Sequence, residues 1–387
     1  MFEVFYTDVA PIVMFVRAFS GGGAQKDALE LTNGLYRAGW PMVVATLDVA
    51  GPLGGLLDPM VPVIDLGRGK KRRMATAGPA LLGVMKTLRP AVIIASEASA
   101  NGLLMLASRA LSPPHRPHIV LREVASPLEA RRADPYWQNR LAYILAPWLY
   151  PRADRVLSLT EGVRRDLIAN FRVAPERAIN LGTNAVLTEA RLAALATPTP
   201  RQPGLIVGIG RLSPEKDFAT LIIAFAALHA ERGGHLLILG EGSERAKLEE
   251  LVLQLGLCGA VSLPGFAPDP LPSLQRASLF VSASRHEGFG NAIVEALACG
   301  VPVVATDAPH GPHEILRGGA LGTLVPLNDP RALAAAMAAT LDGPPDRRAL
   351  RARAADFTTE RAVARFAQVL IELGAKPSPV RTFEVMP

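Results

Sequence analysis

The sequence predicts an α/β protein made of two doubly wound domains of parallel strands, one in each half of the chain. Three observations carry that expectation. Short runs of valine, isoleucine and leucine recur along the whole chain, as strands buried on both faces require. Amphipathic segments of helical length separate those runs. Finally, Thr197-Pro198-Thr199-Pro200-Arg201-Gln202-Pro203-Gly204 divides the 387 residues into halves of similar size. Neither a helix nor a central strand tolerates such a Pro-rich stretch, so it reads as a linker and a hinge. A chain of this length is long enough for two or three domains, each with its own core.

In the first half, residues 12–16 read as a strand and residues 24–38 as a helix, stopped by Gly39 at its C′ position. Residues 42–47, 92–95, 119–121 and 156–159 continue the strand series. In the second half, residues 205–210 form an apolar run ending in glycine, and Phe218, Leu221, Ile222 and Phe225 then follow the spacing of one helix face. Residues 235–239 read as a strand, followed by Gly240-Glu241-Gly242 and a charged helix up to Leu255. Residues 261–263, 279–281 and 301–305 are the remaining strand candidates. Beyond Phe357, the positions of Ala362, Phe366, Val369, Leu370 and Leu373 predict a last amphipathic helix. The expected division is residues 1–197, residues 204–356 and a C-terminal helix with tail over 357–387.

Composition removes several classes. With 49% hydrophobic and 20% charged residues the chain is not disordered. Cys258 and Cys299 make no disulfide framework and fit a reducing compartment, and no CxxC or CxxH pair exists to build a cysteine-based zinc site. The first residues lack the basic start and small-residue cleavage pattern of a signal peptide. The longest apolar candidate for a membrane span, residues 291–309, is interrupted by Glu295, Gly300, Pro302 and Asp307. A cytoplasmic protein, peripheral on the inner face of the cell membrane, is the expectation.

Ligands of doubly wound sheets bind beyond the carboxyl ends of the strands, so the loops after strands are where chemistry is sought. Arg211 and Lys216 lie on one such loop, Gly210-Arg211-Leu212-Ser213-Pro214-Glu215-Lys216-Asp217. Two cations there suit a diphosphate, with arginine gripping two oxygens and lysine adding a point charge. The alternative, open at this point, is a solvated loop whose cations pair with Glu215 and Asp217. A second loop runs from Arg285 through Glu287, Phe289 and Gly290 and opens a helix near Asn291 that ends at Gly300. Amides around Phe289, Gly290 and Asn291 would attract an anion at that helix N-terminus. Glu295 lies roughly 6 Å further along the axis, at 1.5 Å per residue. It could accept hydrogen bonds from ribose hydroxyls, or be an exposed carboxylate favoured by the helix dipole.

Taken in order, GRLSPEKDF, LGEGSER, PGF and SRHEGFGNAIVEALACGVPVVATD resemble the nucleotide-binding half of the retaining glycosyltransferases of family 4, which have the GT-B fold. Glu287 and Glu295, with seven residues between them, match that family's paired glutamates. The match is strong over residues 204–326 and weaker in the first half, where SGGGAQKDALELTNGLYRAG resembles the family's first glycine loop and helix. The resemblance implies two Rossmann-like domains facing across a cleft. It implies retaining, metal-independent transfer of a sugar from a nucleotide-sugar donor, with a UDP-sugar expected, and no cofactor. By motif position Arg211 and Lys216 would neutralise the leaving diphosphate, Glu295 would hold the ribose, and Gly265 and Phe266 would pass the base. Glu287 would meet the donor sugar, and Gly22 and Gly23 of the triple glycine would close over the diphosphate. No Asp-x-Asp pair occurs in the chain, consistent with a class that uses cations in place of a metal. A nucleotide-sugar epimerase or hydrolase, or an inactive donor-binding subunit, would share these motifs. Many relatives carry a histidine near the sugar after the strand that ends around Leu121, whereas Arg122 and Glu123 stand there in this chain.

The charge of +6 is unevenly placed: residues 1–200 hold 23 Lys+Arg against 16 Asp+Glu, and the remainder 18 against 19. Five cations crowd residues 68–73, and arginines mix with Tyr136, Trp137, Tyr143, Trp148 and Tyr150 between residues 131 and 155. Arginine with interfacial aromatics suits an anionic membrane surface and a lipid-linked or glycan acceptor. Nucleic acid is not expected, since no helix-turn-helix, RNA-binding or finger signature accompanies the charge.

Overall fold

Two separate sheets, each with every strand parallel, account for the apolar runs. The first contains β1 (Ile12–Val16), β2 (Met42–Thr46), β3 (Val63–Asp65), β4 (Val92–Ser96), β5 (His118–Glu123), β6 (Arg155–Ser158) and β7 (Ala178–Asn180). Its spatial order is β3-β2-β1-β4-β5-β6-β7. The second contains β8 (Leu205–Ile209), β9 (His235–Leu239), β10 (Val261–Gly265), β11 (Leu279–Ser282), β12 (Val303–Thr306) and β13 (Thr323–Val325), in the order β10-β9-β8-β11-β12-β13. Every residue of β1, β2 and β4 is buried, which is why these runs lack polar alternation. The computed structural model describes residues 9–20, 22–67, 74–134, 136–197 and 199–378.

The chain forms two units, residues 1–185 with 359–387 and residues 186–358. Each has its own core: Phe15, Met85, Tyr143 and Phe171 belong to that of the first, Leu221, Phe225, Val281 and Met337 to that of the second. The amphipathic helix expected beyond Phe357 is Thr359–Glu372, with Ala362, Phe366, Val369 and Leu370 buried. It packs on the helix Gly23–Arg37 of the first unit.

The expected boundary at residues 197–204 is corrected. The chain crosses between units at Ala185–Val186 and again at Thr358–Thr359, so the Pro-rich stretch lies inside the second unit and is not the hinge. The reason is local bonding. Leu187 bridges to Thr358, the Arg191 guanidinium pairs with Asp269 at 2.5 Å, and Arg351 donates to the Leu195 and Ala196 carbonyls. Within the stretch, Gln202 N–H donates to the Arg276 carbonyl at 2.8 Å. β8 begins at Leu205, directly after the stretch. Pro198 itself lies outside the described residues.

Strand order reverses between β1 and β4 and again between β8 and β11. Loops leaving neighbouring strands at such a point diverge to opposite faces and open a crevice beyond the carboxyl ends. The second unit places most of the sequence-predicted site there.

Candidate active site

The loop after β8 is built against its neighbours through the backbone. Gly210 N–H donates to Leu239 O at 3.0 Å, Leu212 N–H to Glu241 O at 2.9 Å, and Glu244 N–H to Leu212 O at 2.9 Å. Gly240 lets the two loops approach so closely, since a Cβ there would overlap the Gly210 carbonyl oxygen. Asp217, at φ 46°, caps the helix Phe218–Arg232 through Thr220. Its Oδ2 also accepts from Arg285 Nε, on the loop after β11, at 3.0 Å. Lys216 Nζ meets Glu287 Oε1 on that same loop. Asp217 and Lys216 therefore bond across the switch point, not to each other. The solvated-loop alternative fails for these two charges.

Glu287 is held on three sides. Ser284 Oγ donates to its Oε1 at 2.9 Å, its own N–H donates to Pro309 O at 3.4 Å, and Gly311 N–H donates to its carbonyl at 3.2 Å. Thr306 Oγ1, at the end of β12, fixes the Ser284 carbonyl at 2.5 Å. Ser284 and Thr306 are site residues that sequence reasoning missed, because single hydroxyls at strand ends carry no spacing signal.

Just beyond, Gly290 precedes the helix Asn291–Ala298, whose N-terminal end carries partial positive charge. Phe289 is buried, its ring edge-on to Phe357 at 5.4 Å. It can therefore offer a ligand its backbone but not its ring. Glu295 is 8% exposed and on the buried face of its helix. That rules out the alternative of an exposed helix carboxylate. Gly265 ends β10, two strands away from β8, beside the Glu241–Arg245 ion pair, and Phe266 beyond it is 55% exposed. Arg211 is exposed on its loop.

In the first unit, Gly22 precedes the helix Gly23–Arg37, with Gly21 outside the described residues. Across its own switch point, Arg17 after β1 lies 3.7 Å from Glu97 after β4. Arg122 and Glu123 are both buried and committed to internal networks. Arg122 donates to Ser96 Oγ at 3.1 Å and to Asn184, whose amide donates to Asp27 at 2.7 Å. Burial lowers the Arg122 pKa, with the Asp27 charge opposing.

Glu123 accepts from Tyr143 Oη at 2.7 Å and Tyr150 Oη at 3.0 Å. Burial pushes its carboxyl up to about 7 against these hydrogen bonds. A raised carboxyl favours folding below the unfolded value of 4.5, and that contribution is lost as pH climbs through about 7. Glu123→Gln is neutral throughout. It should remove a decline in unfolding free energy of about 3 kcal/mol between pH 5 and 8, read by urea titration at both ends.

The aromatic region between residues 131 and 155 divides in two. Tyr143, Leu149 and Tyr150 are buried, while Tyr136, Trp137, Leu141, Ile144 and Trp148 are exposed. The basic run at 68–73 lies outside the described residues. Cys299 is buried, with its thiol pushed up to about 12 by burial. His313 pairs with Asp307 at 3.0 Å. Among the described residues no group of three His, Cys, Asp or Glu side chains is placed to hold a metal ion, and no helix is long and apolar enough to cross a membrane.

Comparison with known proteins bears on family and fold. Residues 196–357 match the family of glycosyl transferases group 1, and residues 21–179 match Glycosyltransferase Family 4. The chain is 34% identical over 181 residues to the N-acetylgalactosamine-N,N'-diacetylbacillosaminyl-diphospho-undecaprenol 4-alpha-N-acetylgalactosaminyltransferase of Campylobacter jejuni, covering 47% of this chain and 49% of that one. It is 38% identical over 139 residues to the lipopolysaccharide core biosynthesis glycosyltransferase LpsE of Rhizobium meliloti, covering 36% and 40%. The chain thus spans about half the length of the curated relatives it matches. Among solved structures, Anabaena HepE in complex with UDP and glucose superposes with a TM-score of 0.73 at 21% identity, over 94% of this chain and 99% of that one. That likeness establishes the two-domain GT-B fold.

Proposed function

We propose, for a chain that belongs to the family 4 glycosyltransferases, that it transfers a sugar from a UDP-sugar to a glycan or lipid-linked acceptor. The product would be a polysaccharide or lipopolysaccharide-type glycoconjugate, and the anomeric configuration of the donor would be retained. The names of the Campylobacter and Rhizobium relatives support the acceptor class, and the UDP and glucose bound to Anabaena HepE support the donor class. A lipid-linked acceptor would place the enzyme on the inner face of the cell membrane.

The observation that carries the reading is the crossing of Lys216 to Glu287 at the switch point of the second unit. Transfer breaks the bond between the sugar C1 and the diphosphate, and the electron pair leaves with UDP. The acceptor oxygen bonds C1 from the same face, and its proton passes to the departing phosphate oxygen. Charge grows on the diphosphate as this happens, so preorganised cations there stabilise the transition state more than the ground state. Arg211 and Lys216 supply that charge without a metal. Glu287 orients Lys216 and meets the sugar, and Glu295 accepts from the ribose hydroxyls. Gly265 and Phe266 flank the base, and the backbone of Phe289, Gly290 and Asn291 faces the phosphates.

The test is product stereochemistry by proton NMR together with UDP release in chelator. Retained configuration and undiminished rates in chelator are expected; an inverted product or loss of activity would overturn the corresponding part. Arg211→Ala and Glu295→Ala should each lower kcat/KM at least about tenfold, the worth of one charge-assisted hydrogen bond.

A further inference from the structure

The helix Trp137–Leu149 turns four large apolar side chains to solvent: Trp137 is 61%, Leu141 45%, Ile144 43% and Trp148 53% exposed. At 3.6 residues per turn these four fall within about 60° of arc, in a stripe roughly 16 Å long. The opposite face, with Ala142, Tyr143, Ala146 and Leu149, is buried in the first unit. The helix contains no acidic residue. Arg131, Arg132, Arg140 and Arg152 stand exposed on and around it. The neighbouring carboxylates already have partners within the fold. Glu129 pairs with Arg132, Asp134 accepts from Tyr136 N–H and Asn139, and Asp154 accepts from Ile119 N–H. Four arginines thus stand against three carboxylates, a surround with one net positive charge, on a half of the chain, residues 1–200, that carries 23 Lys+Arg against 16 Asp+Glu.

We propose that this helix docks the first unit onto an anionic phospholipid bilayer. Trp137, Leu141, Ile144 and Trp148 enter the interfacial layer, and the arginines meet lipid phosphates. Tryptophan suits that depth because its ring is apolar while its N–H stays hydrated. An arginine near a negatively charged leaflet adds about 1 kcal/mol. A second copy of the chain fits less well, since a two-fold pairing of this face would set arginines against arginines. The docking gives a lipid-linked acceptor a surface from which to be presented, and in that respect it rests on the function proposed above.

The experiment uses the full chain with vesicles of phosphatidylcholine, alone or with one third phosphatidylglycerol. Trp137 and Trp148 are exposed and Trp40, the third tryptophan, is buried, so emission reports directly on the stripe. Co-sedimentation with the anionic vesicles, a blue shift, and quenching by lipids brominated on their acyl chains are expected. Partition should fall at least about tenfold in W137S/W148S and, separately, in R131Q/R132Q/R140Q. UDP release with a water-soluble acceptor should remain unchanged in both variants. Absence of sedimentation, binding undiminished in W137S/W148S, or a concentration-dependent dimer abolished by that variant would overturn the docking. A protein that binds vesicles through the stripe but consumes no nucleotide sugar would overturn the function and leave the docking standing.

Discussion

Lys216→Ala is expected to lower kcat for sugar transfer by about 10²–10³-fold, with a much smaller change in donor KM. The ammonium is fixed before donor arrives, because Glu287 holds it across the switch point and Ser284 holds Glu287. A cation fixed in this way has little reorganisation left to do as charge moves onto the leaving diphosphate. Its loss therefore shows in the chemical step more than in binding. Alanine also deprives Glu287 of its ion-pair partner, so Lys216→Met, which keeps the aliphatic stem, serves as the companion variant. Glu287→Gln should act in the same direction by releasing the lysine while leaving the Ser284 contact in place. Single-turnover rates separate chemistry from product release. A kcat within a few-fold of wild type in both lysine variants would remove Lys216 from the reaction.

The two-sheet architecture was legible because its central strands are buried on both faces and so read as unbroken apolar runs. What the sequence did not reveal were β3, β7 and β13, each three residues long and each at a sheet edge. Half-exposed edge residues such as Val63 and Thr323 leave no run to detect. The unit boundary was misplaced for a related reason. Proline-rich composition reports local backbone restriction, whereas the unit to which residues 186–204 belong is decided by long-range bonds from Asp269, Arg276 and Arg351. At the site, Arg211, Lys216, Glu287 and Glu295 were legible as charges at strand-to-helix junctions. Their pairing was not. The sequence offered Asp217 and Glu215 as neighbours for the cations, but the parallel pairing of β8 with β11 gives Asp217 to Arg285 and Lys216 to Glu287. The aromatic segment at 131–155 was readable only as a composition. The folded segment decides that Tyr143 and Tyr150 bind Glu123 inside while Trp137 and Trp148 face out.

Gly311→Ala should cost on the order of 3 kcal/mol of stability and weaken UDP binding about 10²-fold, as misplacement of a binding loop by an ångström does. A Cβ on Gly311 would overlap the Phe289 carbonyl oxygen. That oxygen cannot simply retreat. The Phe289 ring packs edge-on against Phe357, and the Arg353 guanidinium lies 4.5 Å from the centre of the Phe357 ring. Arg353 is in turn bonded to the Glu314 and Ile315 carbonyls at 2.8 and 2.9 Å, in the very helix that Gly311 begins. The strain must then pass to the segment from Glu287 to Asn291, to which the proposed function gives the contacts with the sugar and the phosphates. Gly83→Ala is the control: nothing lies within 4 Å of its added carbon, and a helical glycine replaced by alanine gains about 0.5–1 kcal/mol. Calorimetric titration with UDP, paired with urea unfolding, reads both quantities. UDP binding unchanged in a Gly311→Ala protein of reduced stability would mean that the crevice between β8 and β11 is not where the nucleotide binds.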